Sequence, residues 1–327
     1  MCKFSFLIPV YNSDKTIGAV VDSIISSVNG MEKDSKFEIV LVDDGSSEST
    51  KEACKVVVQA HPEVTVFRLS RNFGQANALM AGLNHVRGDY VVCLDDDLQT
   101  SPEEFPKLYA KLINGDYDIV YGYYSRKRHN FFRNIGTKVN ELMQSVVLGK
   151  PKDIKTSSYF IAKKAVVDVV KEYDKPFPYL PGLFLRATAK VGSEAIRHHA
   201  RKEGKSGYSF GKLLNLWLDG FTNFSIRPLR FSTFLGFIVA AAAFILILVV
   251  LIDRILNPNV HEGWPSIFAA VLFMGGVQMI CVGLLGEYVG RVYLSVNKTP
   301  QYVIRDKLTA GDIETKKVSD GDENKCP

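Results

Sequence analysis

Cysteine is sparse in this chain. Its five cysteines, Cys2, Cys54, Cys93, Cys281 and Cys326, are odd in number and scattered, which argues against a disulfide framework or a cysteine metal site. Three of them fall in apolar or helical patterns and read as reduced core residues. Glycine-rich phosphate loops are missing too: neither G-x-G-x-x-G nor G-x-x-x-x-G-K occurs, so any phosphate must be held by other means. The two tryptophans follow Leu216 and Gly263, so no Gln-x-x-Arg-Trp motif is present. The formal charge of +5 is far from the basic excess of a dedicated nucleic-acid binder, and no helix-turn-helix, zinc-finger or RNA-binding signature occurs. Met1-Cys2-Lys3 runs straight into a strand-like segment, so no secretory signal is expected.

What is present is a sharp change of composition near residue 231. Phe231 to Ile252 and Ser266 to Leu285 are uncharged apolar runs, each long enough to span a bilayer at about 20 residues. Two such runs separated by a short polar loop read as a membrane hairpin rather than as core helices. The loop between them carries only Arg254 against Asp253 and Glu262. Arg227, Arg230, Arg291, Lys298, Arg305 and Lys307 flank the pair. The excess of positive charge on the flanks puts both chain ends in the cytoplasm. The chain thus divides into a cytosolic head over 1–210, an interfacial amphipathic helix over 211–230 carrying Lys212 and Trp217, a span over 231–252 and an extracytoplasmic loop over 253–265. A second span over 266–285, a cytosolic juxtamembrane segment over 286–308 and a polar, aperiodic tail over 309–327 read as disordered complete it.

Within the head, Lys3 to Pro9 alternates as a strand. Asp14 can cap a helix whose apolar positions, Ile17 to Val28, share one face. Phe37 to Val42, Val64 to Leu69 and Tyr90 to Leu94 read as further strands. Helical patterns lie between them, Pro102 opens another helix, and Ile119 to Tyr121 is a short strand. Thr156 to Phe160 precedes a further helical stretch. Strands alternating with amphipathic helices imply an α/β fold with a mostly parallel sheet and helices on both faces. Ligands of such sheets bind beyond the carboxyl ends of the strands.

Three strands end in polar motifs, Pro9–Asn12, Asp43–Ser46 and Asp95–Gln99, and the topology should bring them to one cleft. Three consecutive carboxylates, Asp95, Asp96 and Asp97, repel one another unless a cation sits among them. In an extended segment alternate side chains share a face, so Asp95, Asp97 and Gln99 can meet one hard divalent ion. Taken alone the triplet could equally be a solvated acidic turn. Convergence with the other two strand ends favours a metal and phosphate site. An EF-hand fits poorly, because Thr100 and Pro106 stand where that loop needs Gly and Glu. Ser125 to His129 is a concentrated basic patch. His198 to Tyr208 is a basic, glycine-containing loop suited to closing over anions, and its two histidines lack zinc-site spacing.

As an ordered set, Pro9-Val10-Tyr11-Asn12, Val42-Asp43-Asp44-Gly45-Ser46, Ser70-Arg71-Asn72-Phe73-Gly74 and Leu94-Asp95-Asp96-Asp97-Leu98-Gln99 resemble the family 2 glycosyltransferases of GT-A fold. Arg201-x-x-Gly204-x-Ser206-x-Tyr208, Phe224-Ser225-x-x-Pro228-Leu229-Arg230 and Gly286-Glu287-Tyr288-x-Gly290-Arg291 narrow the resemblance. They are similar to the polyprenyl-phosphate glycosyltransferases, which include dolichyl-phosphate mannose synthase and bacterial undecaprenyl-phosphate sugar transferases. The likeness covers residues 3 to 305.

The resemblance implies a GT-A catalytic domain over 1–210, followed by the two-helix hairpin. It implies Mg²⁺ or Mn²⁺ on Asp95, Asp97 and Gln99. Pro9, Tyr11, Asn12, Asp43, Asp44, Gly74, Gln75 and Asp95 would line the nucleotide-sugar pocket. Arg126, Arg128, Arg133, Lys205 and Ser206 would grip the acceptor phosphate, and Asp97, Arg126, Arg201 and Ser158 would be the catalytic candidates. Its implied partners are a nucleotide-sugar donor (UDP by family frequency), an undecaprenyl-type polyprenyl phosphate and the lipid bilayer. Relatives also assemble through the membrane helices and C-terminal segment, so a homo-oligomer is a further implied partner. The implied location is the bacterial inner membrane, multi-pass, with catalytic domain and termini cytoplasmic.

Two departures stand out. Many relatives carry Gly-Asp-Phe-Arg where this chain has Ser157-Ser158-Tyr159-Phe160, so an acid becomes Ser158, and a common Arg-Pro is here Thr299-Pro300. A phosphate monoester acceptor is already largely an oxyanion at neutral pH, its second pKa being about 6, so no strong base is needed and Ser158→Ala is expected to cost little. Inverting displacement then gives a β-linked product from an α-linked donor. A non-catalytic nucleotide-sugar-binding membrane adapter and a processive polysaccharide synthase are the alternatives.

Overall fold

The computed structural model describes residues 3–31, 36–98, 101–124, 145, 150–151, 153–197, 227–256, 263–297 and 299–312. The chain divides into two compact units, Met1–Asn215 with Thr299–Pro327, and Leu216–Lys298.

The first unit is built on a mixed eight-stranded sheet. Its strands are β1 (Phe4–Val10), β2 (Phe37–Asp43), β3 (Val64–Leu69), β4 (Tyr90–Cys93), β5 (Ile119–Tyr124), β6 (Phe160–Lys163), β7 (Val191–Ile196) and β8 (Ile304–Leu308), in spatial order β7-β5-β6-β4-β1-β2-β3-β8. β1 pairs in parallel with both β2 and β4, while β6 and β8 run antiparallel to their neighbours. All seven residues of β1 are buried, as a central strand covered on both faces requires.

Alternation along β1 sends Phe4, Phe6, Ile8 and Val10 into a cluster with α1 (Ile17–Met31), α2 (Glu48–Ala60) and α4 (Phe105–Asn114). Phe105 packs edge-on against Phe4 and Phe6, with ring centroids 5.5 and 5.1 Å apart. Such pairs add about 0.5–1.5 kcal/mol each beyond their burial, which fixes α4 over the middle of the sheet. Leu7 points to the other face, where α3 (Gln75–Leu83) lies so close that a Cβ on Gly82 would stand 2.0 Å from Leu7 Cδ1. Two further helices, α5 (Lys164–Val170) and α6 (Leu180–Ala187), also belong to this unit.

The predicted strand–helix alternation through β4 matches these elements. Beyond it the structure adds what the pattern did not show. Phe160–Lys163 is a strand inserted antiparallel between β4 and β5, ahead of the expected helix. Residues 304–308, expected only as a juxtamembrane segment, form the edge strand β8 on β3. β6 is four residues long, and β8 reads Ile-Arg-Asp-Lys-Leu, so neither has a run of alternation from which a strand could be recognised.

The second unit contains α7 (Arg227–Leu256) and α8 (Trp264–Val296), which enclose the two expected spans. Within α8, Phe273–Val296 is long and apolar enough to cross a membrane. Large apolar side chains on both helices, among them Phe237, Ile255, Met279 and Ile280, are exposed. The interfacial helix is expected over 211–230, of which 211–226 lies outside the described residues, as do residues 313–327 of the expected tail.

Candidate active site

The strand order 4-1-2-3 reverses direction at β1, so a crevice opens at the carboxyl ends of β1 and β4. The three polar strand ends meet there. Asn12 takes φ 54°, a left-handed conformation that asparagine tolerates better than most residues. Its N–H donates to Ser46 Oγ at 3.1 Å and its Oδ1 accepts from the Ser47 N–H at 2.9 Å, which ties the β1 loop to the β2 loop. Gly45, at φ 71°, lets the β2 loop lie directly on the backbone of Arg71 and Asn72. Asp44 then accepts from the N–H groups of Phe73 and Gly74 at 2.7 and 2.9 Å, fixing the entry to α3. Burial pushes the Asp44 carboxyl up, those two hydrogen bonds pull it back, and Asp43 pushes it up further. Asp43 is itself buried, accepts from the Ser46 N–H at 2.9 Å and lies 3.9 Å from Arg68 Nε.

Within the acidic triplet, which bends at 96–98 instead of running on as an extended strand, Asp95 and Asp96 turn to different partners. Asp96 turns toward the β1 loop, accepting from the Tyr11 N–H at 3.1 Å and from the Ser13 hydroxyl. Asp95 accepts from Gln75 Nε2 at 2.8 Å on one oxygen and from Ser158 Oγ at 2.5 Å on the other. Desolvation raises Asp95 to about 6; the Ser158 hydrogen bond opposes this, Asp97 and Asp96 add to it, and Gln75 opposes it. Asp96 is likewise raised, first by burial. Leu98, the last described residue of this loop, takes a left-handed φ of 58°.

The structure therefore brings together Pro9, Tyr11, Asn12, Asp43, Asp44, Gly74, Gln75, Asp95 and Ser158 around neighbouring strand ends. Asp97 follows Asp95 in the same loop, half-buried like it. Tyr11 is 53% exposed at the rim. Gln99, Arg126, Arg128, Arg133, Arg201, Lys205 and Ser206 lie outside the described residues, as do His198 and His199. No role had been expected for Asp96, Ser13 or Ser46, which hold the loops together. The one signal for Asp96 was its place between two residues of opposite facing.

Among the described residues no group of three or more His, Cys, Asp or Glu side chains is placed to hold a metal. The expected ligand set contains only two carboxylates beside Gln99. Its donor chemistry fits a hard divalent ion: oxygen ligands, and an Asp95 whose two hydrogen-bond partners are both neutral.

An α/β head of GT-A type, with an acidic loop at the carboxyl ends of its central strands and two long apolar helices after it, defines a class of glycosyltransferases. The family model described as "Glycosyl transferase family 2" matches residues 5–170, and that described as "GtrB C-terminal hairpin" matches residues 227–292. The chain belongs to glycosyl transferase family 2 and is a glycosyltransferase. Among its relatives, the undecaprenyl-phosphate 4-deoxy-4-formamido-L-arabinose transferase of Enterobacter sp. (strain 638) is 34% identical over 320 residues, 96% of each chain. The transferase of the same name from Salmonella choleraesuis (strain SC-B67) is 33% identical over 310 residues, 94% of each. Glucosyl-3-phosphoglycerate synthase from Mycobacterium tuberculosis, solved with Mn²⁺ and UDP-glucose, is similar over 66% of this chain and 76% of its own, at 18% identity and a TM-score of 0.49. The hairpin and the apolar helix point to membrane association.

Proposed function

We propose that this chain moves a sugar, with inversion, from a nucleotide-sugar donor of UDP type to a polyprenyl phosphate of undecaprenyl type at the bacterial inner membrane. The observation that carries this reading is the cross-bonding of three strand-end loops through Asn12, Asp44 and Asp96 into one floor beside the acidic loop. The curated relatives are named for transfer involving undecaprenyl phosphate and match nearly the whole chain, head and hairpin together.

In this reading Tyr11, with its exposed ring, and the loops of Asn12 and Asp44 receive the nucleotide. Asp95, Asp97 and Gln99 would hold Mg²⁺ or Mn²⁺, which when bound supplies Lewis-acid neutralisation of the diphosphate leaving group. An acceptor phosphate oxygen attacks the anomeric carbon, the bond from that carbon to the nucleoside diphosphate breaks, and its electron pair leaves with the diphosphate. Arg126, Arg128, Arg133, Arg201, Lys205 and Ser206 orient the two anionic substrates. Both helices of the hairpin span the bilayer, with the 1–210 head and both termini in the cytoplasm, as the flanking charge asymmetry directs. Copies of the chain associate through the membrane helices and C-terminal segment.

The test is a panel of radiolabelled nucleotide sugars offered with a short polyprenyl phosphate. One of them should yield an organic-extractable lipid product that EDTA suppresses and Mg²⁺ or Mn²⁺ restores. Binding of donors without turnover would mark an adapter, and growth of a polymer would mark a processive synthase; either result contradicts the proposal.

A further inference from the structure

Ser158 and Gln75 come from distant parts of the chain and meet on one carboxylate. The β4–β6 ladder pairs Cys93 with Phe160 antiparallel, so continuing its register by two residues sets Asp95 opposite Ser158. The segment carrying Ser158 is fixed on either side. Ser157 Oγ donates to Gly122 O at 2.6 Å, the Gly122 N–H donates to Tyr159 O at 2.9 Å, and the Tyr159 side chain is buried. Ser158 lies at a bend between these two anchored residues, and its hydroxyl reaches Asp95 across the strand ends at 2.5 Å. Gln75 is the first residue of α3, whose entry Asp44 fixes through Phe73 and Gly74. Each Asp95 oxygen therefore receives one neutral donor from a braced element and keeps its remaining lone pair for another partner.

We infer that Gln75 and Ser158 are positioning residues that clamp the Asp95 carboxylate in the orientation in which it meets a divalent ion. This rests on the metal reading proposed above and adds to it what sets the ligand's orientation. A carboxylate free to rotate loses conformational entropy when it binds a metal, whereas one already held by two hydrogen bonds does not. Partners behind metal ligands typically contribute about 10- to 100-fold in affinity. Both clamp residues are solvent-exposed, which places the expected effect near the lower end of that range. The clamp also gives Ser158 a role that its sequence position alone did not suggest, and one that does not involve proton transfer.

The experiment is Mn²⁺ titration of the full-length protein in detergent, following free Mn²⁺ by electron paramagnetic resonance without substrates. Wild type, Ser158→Ala, Gln75→Ala and Ser158→Thr are compared, with thermal unfolding of each metal-free protein as the folding control. Both Ala variants should bind Mn²⁺ about tenfold more weakly while each still unfolds cooperatively in the metal-free control, and Thr, which keeps the hydroxyl, should restore binding. Wild-type affinity in the Ala variants, or a Thr variant as weak as Ala, overturns the clamp while leaving the metal reading intact. No Mn²⁺ binding by the wild type overturns the metal reading and the clamp together.

Discussion

Gly45 lies so close to Asn72 that a Cβ on the glycine would stand 2.6 Å from the Asn72 amide nitrogen. Its φ of 71° adds a second barrier to any side chain. Gly45→Ala must therefore push apart two backbones that form the floor of the cleft. Such strain costs on the order of 1–3 kcal/mol. The expected outcome is a lower denaturation midpoint in urea and a weaker response to UDP in isothermal titration. An alanine variant equal to wild type in both would show that the two loops separate freely.

Asp96 holds the Tyr11 loop through a backbone N–H and the Ser13 hydroxyl. Asp96→Ala should release that loop and lower stability by about 1.5–3 kcal/mol, as expected for hydrogen bonds to a charged acceptor. UDP affinity should fall with it. Ser13→Ala, which removes only one of the two bonds, should show a smaller loss in the same direction. A larger effect from Ser13→Ala than from Asp96→Ala would reverse the assignment.

This division of the triplet shows what the sequence carried. Alternation at a strand end separates Asp95 from Asp96, whose partners lie on different loops, and the apolar runs marked β1 to β4 because each strand is buried on a local pattern. The Asp95–Ser158 contact joins residues 63 apart through an antiparallel ladder. Its register depends on β6, whose four residues carry no periodic signal. The role of Gln75 was hidden for a related reason: its position on α3 depends on Asp44, a carboxylate that alone reads as a ligand contact rather than as a brace.

Cys54 sits on α2 with no exposed surface, and burial pushes its thiol up to about 12. The thiolate is the reactive form, so native Cys54 should resist iodoacetamide at pH 8 and label readily once the protein is unfolded. Peptide mapping by mass spectrometry reads this directly. Rapid native labelling of Cys54 would mean that α2 opens locally.

The return of the chain to β8 depends on Gln301, whose Nε2 donates to Lys175 O at 2.8 Å and Tyr173 O at 3.4 Å while the residue is buried. Gln301→Ala leaves those carbonyls without this donor and should destabilise the head by about 1–3 kcal/mol. Hydrogen exchange should rise along β8 and along the edge of β3 that it covers. Unchanged protection there would show that the strand pairing alone holds the segment.

The most direct measurement compares sugar transfer to undecaprenyl phosphate by wild type, Asp95→Ala and Asp97→Ala, with circular dichroism confirming that each is folded. Transfer should be lost in both variants, and raising Mg²⁺ or Mn²⁺ should not restore it. Near-normal transfer in both folded variants would contradict the account, because the acidic loop at the end of β4 would then have no part in the chemistry.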